Sequence, residues 1–305
     1  MSILFAVIVP YVAAAIFVAG VTVRILLWAR SDVPFRIPLV AGQQKSLPWI
    51  KSGRLESPHT KLGVFGRMAL EILLFRSLFR NTGAELRGGP RLTYAEEKFL
   101  WLGALAFHWS LLLILIRHLR FFLEPVPRLI LSLQKLDGFF EAGMPVIYLT
   151  DMIIVVALSF LVLRRLVKRQ IRYISLPADY FVLLLLAVLT GTGIWMRYAT
   201  TADLVKVKEF ALGLAAFSPR IPENAGLLFY THLFLASLLA AWFPFSKLMH
   251  MGGVFLSPTR NLCNHNRMKR HLNPWDHPVK VHTYAEWENE FRDKIKAAGL
   301  PLEGR

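Results

Sequence analysis

Five apolar stretches alternate with basic and proline-bearing segments along the chain, at residues 2–23, 99–116, 143–163, 180–196 and 226–246. A bilayer core about 30 Å thick takes roughly 20 mostly apolar helical residues to cross. In lipid each backbone amide and carbonyl has to be paired within its own segment, so the stretches predict helices rather than strands. Asp151, in the third, is the single carboxylate among them, and none contains Lys or Arg. The expected fold is an all-α integral membrane protein, a bundle of five transmembrane helices. The chain divides at about residue 253 into this bundle and a tail, residues 254–305.

The polar segments carry weaker patterns. Pro34, Pro38 and Pro48 predict an extended start to the long segment 24–98. Between Phe65 and Arg80, Phe65, Met68, Ile72, Phe75 and Phe79 recur at helical spacing beside Arg67, Arg76 and Arg80. Such a helix lies in the membrane interface or docks on a partner. In the tail, Thr283 and Glu286 form a capping box. The stripe Tyr284, Trp287, Phe291 and Ile295 follows and stops at Gly299 and Pro301. A tail of this size builds little core of its own. Its apolar stripe therefore reads as a docking face for a cytoplasmic partner.

Charge fixes the orientation. The net charge of +16 would suit a nucleic-acid binder, but all 36 Lys and Arg lie outside the apolar stretches. Segments on alternate sides hold 28 and 8 of them, which is the positive-inside bias. The basic segments, 24–98 included, then face the cytoplasm with the tail, and the N-terminus lies outside. Met1 leads directly into apolar residues with no basic region before them, so the first stretch is read as a retained helix rather than a signal peptide. The single cysteine, Cys263, excludes an internal disulfide, an iron–sulfur cluster held by this chain alone and a C-x-x-C-H haem attachment.

Histidine placement changes the picture most. Of nine, His59, His265, His271, His277 and His282 lie in polar segments; the four in the tail resemble a metal cluster, but their irregular spacing and polar surroundings read as solvated residues. His108 and His118 belong to the second apolar stretch and its edge, His232 and His250 to the fifth. Ionisable groups at membrane depth mark function by default. The second and fifth helices run antiparallel, so His108 and His250 are the inner residues and His118 and His232 the outer. At 1.5 Å per residue the pairs span about 15 and about 27 Å along their axes. Eighteen residues make about five turns, so His232 and His250 share one face, and helix tilt, side-chain reach and a kink at Pro244 absorb the unequal rises of the two pairs. Two b-type haems, one above the other and each gripped from both sides, fit this layout, because neutral imidazole suits iron. Interhelical hydrogen bonding, worth about 1–2 kcal/mol per group, is the plainer reading. A transporter relaying protons through the histidines and Asp151 is the reading from another class. A haem-export chaperone is disfavoured, because these histidines lie on membrane helices.

Charged neighbours extend the site. Arg117, Arg120 and Arg197 stand at the outer edge, where they either pair with haem propionates or snorkel to the interface. Asp151, expected about two turns into the third helix, either accepts protons from a quinol or serves as a structural hydrogen-bonding group.

The histidine spacings, with FPFSKLMH ending at His250, resemble the respiratory nitrate reductase gamma subunits over residues 1–253. That resemblance implies two haem b, with His108 paired to His250 and His118 to His232. Three further stretches are similar to the M subunits of the Dsr membrane complexes of sulfate-reducing and sulfur-oxidising microbes. They are VPFRIPLVAGQQKSLPWIK at 33–51, GRMALEILLFRSLFRNT at 66–82 and GGVFLSPTRNLCNHNRMKRHLNPWDHP at 252–278. This second resemblance implies a cytoplasmic-membrane subunit exchanging electrons between menaquinone and a cytoplasmic iron–sulfur subunit similar to heterodisulfide reductase. It also implies a periplasmic multihaem cytochrome c, a periplasmic iron–sulfur subunit and a second membrane subunit as partners. The gamma subunit of a nitrate reductase, or a hydrogenase cytochrome b, is the alternative within electron transfer.

Overall fold

Runs rich in Leu, Val, Ile and Ala form the longest helices of the computed structural model. It describes residues 3–31, 43–87, 91–138, 146–200, 203–222, 225–257, 259–269 and 281–303. Helix α1 (Val9–Ala29) is entered through a π-helical turn at Leu4–Ile8. In the segment that follows come α2 (Lys61–Leu74), α3 (Arg76–Phe79) and a ribbon of β1 (Thr82–Arg87) and β2 (Arg91–Glu96). Next are α4 (Lys98–His118), α5 (Arg128–Asp137), α6 (Leu149–Val167), α7 (Arg169–Ile174), α8 (Pro177–Tyr198) and α9 (Leu204–Ala215). The chain continues with α10 (Leu227–Trp242), α11 (His250–Gly253) and α12 (Tyr284–Ala297).

Among the described residues, four helical segments are long and apolar enough to cross a membrane: Leu4–Ala29, Lys98–Phe121, Pro177–Tyr198 and Leu227–Phe245. Helix α6 falls outside that group because Asp151, Arg164 and Arg165 all lie within its 19 residues. Lateral packing runs α4 on α6, α6 on α8, α8 on α10 and α10 on α1. The shared core is Phe107, Ile154, Ala157, Leu158 and Leu186, flanked by Leu111, Ile114, Leu183 and Leu239. Small residues set the closest approaches. A Cβ on Gly103 would come within 2.5 Å of the Phe160 ring, and one on Gly20 within 2.7 Å of Pro244. Outward faces remain apolar, with Val18, Leu115, Leu184 and Trp195 all more than half exposed, as a lipid-facing surface requires.

The described residues are mostly helical, as expected, with one short ribbon in which β1 and β2 pair antiparallel, from Thr82 opposite Glu96 to Arg87 opposite Arg91. Three sequence expectations are corrected. The amphipathic helix expected over Phe65–Arg80 breaks at Phe75, which adopts a left-handed conformation (φ 49°, ψ 48°) between α2 and α3. The fifth apolar stretch is not one helix to His250. Helix α10 ends at Trp242, Phe243–Phe245 forms a 3-10 turn around Pro244, and Ser246 is extended (φ −111°, ψ 174°). Proline cannot donate to the preceding turn, which accounts for the break. Finally, the third stretch begins its helix at Leu149 (residues 139–145 lie outside the described residues), so Asp151 sits in the first turn of α6 rather than two turns in.

In the tail, Thr283 Oγ1 accepts from the Glu286 amide at 3.3 Å and Glu286 Oε2 accepts from the Thr283 amide at 3.0 Å, closing the expected capping box. Tyr284, Trp287 and Phe291 meet in sequence along α12 as tilted ring pairs, and Ile295 is buried.

Candidate functional site

Because α4 is continuous from Lys98 to His118, it carries His108 and His118 at different depths of one rigid rod. Each ring is tied to the turn below it. His108 Nδ1 lies 2.7 Å from the Ala104 carbonyl, and His118 Nδ1 lies 2.7 Å from that of Ile114. On the opposite side, His250 Nδ1 lies 2.7 Å from the Lys247 carbonyl. His232 Nδ1 meets Thr192 Oγ1 at 2.9 Å, and that hydroxyl is also 2.9 Å from the Leu189 carbonyl. A carbonyl oxygen only accepts, so Nδ1 is the protonated nitrogen in His108, His118 and His250. The Thr192 hydroxyl gives its one hydrogen to Leu189 and so accepts from His232. All four rings therefore hold the same tautomer, with the Nε2 lone pair free. A hydrogen bond from the other ring nitrogen of this kind orients metal-ligating histidines.

The four rings fall into two close pairs. The His108 and His250 ring centroids are 5.9 Å apart with planes at 88°, and those of His118 and His232 are 6.5 Å apart at 16°. A metal–nitrogen bond of about 2 Å, plus about 1.1 Å from nitrogen to ring centre, gives roughly 6.3 Å between two imidazoles that share one ion. Helices α4 and α10 pack mainly on other helices, so the gap between them is bridged through α6 and α8. Among the described residues no group of three His, Cys, Asp or Glu comes together. Two imidazoles alone make an incomplete coordination shell, one that a haem would complete. The residues present fit haem.

Aromatic and small residues complete the cradle. Phe75 and Phe107 stand edge-on to His108 with centroids at 4.9 and 5.0 Å, so the left-handed break at Phe75 delivers a ring to the inner pair. A Cβ on Gly193 would lie 3.1 Å from His232 Cε1, so a larger residue there would press on that ring. Sequence reasoning missed Phe75, Thr192 and Gly193. Thr192 and Gly193 belong to the T-G-T-G run of α8, an unusual concentration of small residues within an apolar helix and the only signal that could have found them.

The outer charges are arranged differently from the expectation. Arg117 does not stand free for a propionate. Its Nη1 is 2.9 Å from Asp137 Oδ2 and its Nη2 is 2.7 Å from Asp151 Oδ1, with all three side chains at most 10% exposed. Tyr198 donates to Asp151 Oδ2 at 2.9 Å, and Thr150 donates to Asp137 through both its amide and its hydroxyl. Burial makes such a group costly unless every charge is met, and Arg117 is met by two carboxylates. Asp151 is thus tied into an ion pair, and Asp137 is a participant the sequence analysis did not name. Arg197 and Arg117 lie over the same Tyr148 ring, each 3.8 Å from its centroid. Arg120 donates to Gln134 at 2.9 Å. Arg120, Lys135 and Arg197 line a cleft of about 650 Å³ beside Gln134, Tyr148 and Leu204. Among the tail histidines, His282 faces Glu290 at 3.9 Å, while His271 and His277 lie outside the described residues.

At the other end of α4, Glu97 accepts from Lys168 at 2.8 Å and from Arg164, tying α4 to the end of α6. The Lys168 hydrogen bond, with the Arg164 bond and both positive charges, holds the Glu97 carboxyl below its ordinary value despite partial burial. A lowered folded-state value means a stabilising contribution that is complete above the unfolded value near 4.5 and is lost as pH falls through the folded one. Acid unfolding below about pH 4.5 should therefore be less steep in Glu97→Gln than in the parent chain, as followed by circular dichroism; identical acid curves would contradict the pairing.

The family of nitrate reductase gamma subunits matches residues 68–270, which include all four paired histidines. An Archaeoglobus fulgidus protein named Hdr-like menaquinol oxidoreductase cytochrome b-like subunit is 48% identical over 282 residues, covering 90% of this chain and 84% of the relative. Its namesake from Archaeoglobus profundus is 43% identical over 274 residues, covering 88% and 81%. On the family match and the extent of these likenesses, the chain belongs to the nitrate reductase gamma subunit family.

Proposed function

We propose that this chain is a di-haem cytochrome b of the cytoplasmic membrane, an electron-transfer subunit working between menaquinone and a cytoplasmic iron–sulfur partner in dissimilatory sulfur metabolism. The observation that carries the reading is that all four paired histidines present a free Nε2 while Nδ1 is held by an acceptor. His108 and His250 hold the inner haem b, and His118 and His232 the outer. Bound between two histidines, haem supplies a one-electron relay with no open position for oxygen. The chain's own residues fix the ring tautomers, exclude water with apolar helix faces, and meet the outer propionates with Arg120 and Arg197, joined by Lys135. Asp151, paired with Arg117 and hydrogen-bonded by Tyr198 at the outer edge, is the candidate group for accepting a proton from a quinol.

Helix α6 serves as the fifth span. Its 19 residues extend about 28 Å, and its charges sit in the first and last turns, where they reach the interfaces. The N-terminus then lies outside, and the segment 24–98 and the tail lie in the cytoplasm. The two Archaeoglobus relatives are named as subunits of Hdr-like menaquinol oxidoreductases, which supports both menaquinone and an iron–sulfur subunit similar to heterodisulfide reductase. The stretches at 33–51 and 252–278 favour an M subunit of a Dsr complex, with a periplasmic multihaem cytochrome c, a periplasmic iron–sulfur subunit and a second membrane subunit. A water-soluble menaquinol analogue added to the purified chain should reduce its haem absorbance bands within seconds. Bands that dithionite reduces but the quinol leaves oxidised would overturn the quinone assignment.

A further inference from the structure

The break after Trp242 removes His250 from the rigid frame that carries His232. His250 starts its own four-residue helix beyond two 3-10 turns, so α10 alone cannot fix its height or rotation. What holds the segment is side-chain contact. Arg24 Nε donates to the Pro244 carbonyl at 3.1 Å, and Ser246 Oγ caps the following turn through the Leu248 amide at 3.2 Å. The third anchor is Lys247. Its ammonium reaches Asp179 Oδ1 at 2.7 Å and Oδ2 at 3.0 Å, while its own carbonyl receives the His250 Nδ1–H at 2.7 Å. Asp179 lies in the first turn of α8. It is only 8% exposed and is further held by the Leu176 amide at 3.0 Å and by Arg165 at 3.5 Å.

We propose that the Asp179–Lys247 pair is a positioning device for His250: it locks the Lys247 carbonyl against the imidazole and so tunes the inner haem without touching it. This rests on the reading of His250 as an iron ligand. Lys247 is 74% exposed, and an ion pair with one solvated partner contributes little to stability. Its removal should leave the fold intact. A firm Nδ1–H···O bond makes the imidazole a more basic ligand, which favours the oxidised iron. Loosening the carbonyl therefore raises the reduction potential.

The test uses the full haem-loaded chain and redox titration of each haem in Asp179→Asn, Lys247→Met, the double variant and Lys247→Arg. Both single variants should raise the inner potential, changing the reduced-to-oxidised ratio at fixed potential at least threefold, about 28 mV at about 59 mV per tenfold for one electron. The double variant should match the singles, since either change breaks the same link. Lys247→Arg should stay near the parent value, and the outer haem should not move. Simple charge removal predicts the same rise for Asp179→Asn but differs at the other two: Lys247→Met lowers the potential and the double variant cancels. That result, or an unshifted inner haem, overturns the proposal. A parent chain that carries no haem refutes the ligand reading itself and is recognised before any variant is made.

Discussion

Replacing Arg117 by methionine is expected to destabilise the folded chain by about 3–5 kcal/mol, the cost of leaving buried charge without its partner. Arg117 is 10% exposed, and the carboxylates it faces are 4% and 10% exposed, so solvent does little to screen what remains. The two carboxylates come from α5 and α6 and the guanidinium from α4, so the loss spreads over three elements. Detergent-induced unfolding followed by circular dichroism reads the effect. The triple variant Arg117→Met/Asp137→Asn/Asp151→Asn removes all three charges together and should recover most of the lost stability. A single variant within about 1 kcal/mol of the parent would contradict the assignment of Arg117 as the keystone of this cluster. Its propionate role, suggested by position beside His118, would then return.

The second large effect concerns the paired histidines. Alanine at His108 or His250 should remove the inner haem and leave the outer in place, while alanine at His118 or His232 should do the reverse. The two members of a pair should give matching residual spectra, because each iron loses one axial ligand in either case. Thr192→Val is a milder companion. It keeps the shape of the side chain but removes the acceptor that holds His232 Nδ1, so the outer haem should be retained with an altered potential. Loss of both haems in each of the four alanine variants would contradict two independent sites.

Much of this arrangement is legible in the chain itself. The apolar stretches locate the long helices, and the 10-residue separation of His108 and His118 correctly places two rings on one rod. The pairing across the gap follows from antiparallel order. The 18-residue separation of His232 and His250 misleads, because reading it as five turns assumes a helix that Pro244 ends; the histidines nevertheless reach their partners, since the 3-10 turns and Ser246 return the chain to the inner level. The ribbon of β1 and β2 escaped a reading attuned to helical spacing, though Gly88, Gly89 and Pro90 between two short alternating runs were its signal. Phe75 illustrates a different limit. Nothing in the spacing Phe65, Met68, Ile72, Phe75 announces a left-handed residue, since bulky side chains adopt that conformation only when packing compels it. Its contact with His108 is a property of tertiary structure. The Arg117 cluster lay partly in view: an arginine beside a membrane histidine demands counter-charge, but Asp137 sits in a connecting segment whose depth the sequence pattern does not reveal.

The most direct measurement is a dithionite-reduced minus oxidised spectrum of the purified chain, with haem b counted by the pyridine haemochrome method. The paired imidazoles predict about two low-spin haem b per chain. A chain produced with ample haem that carries none would contradict the cytochrome reading and leave the four histidines as proton-relaying or purely structural groups.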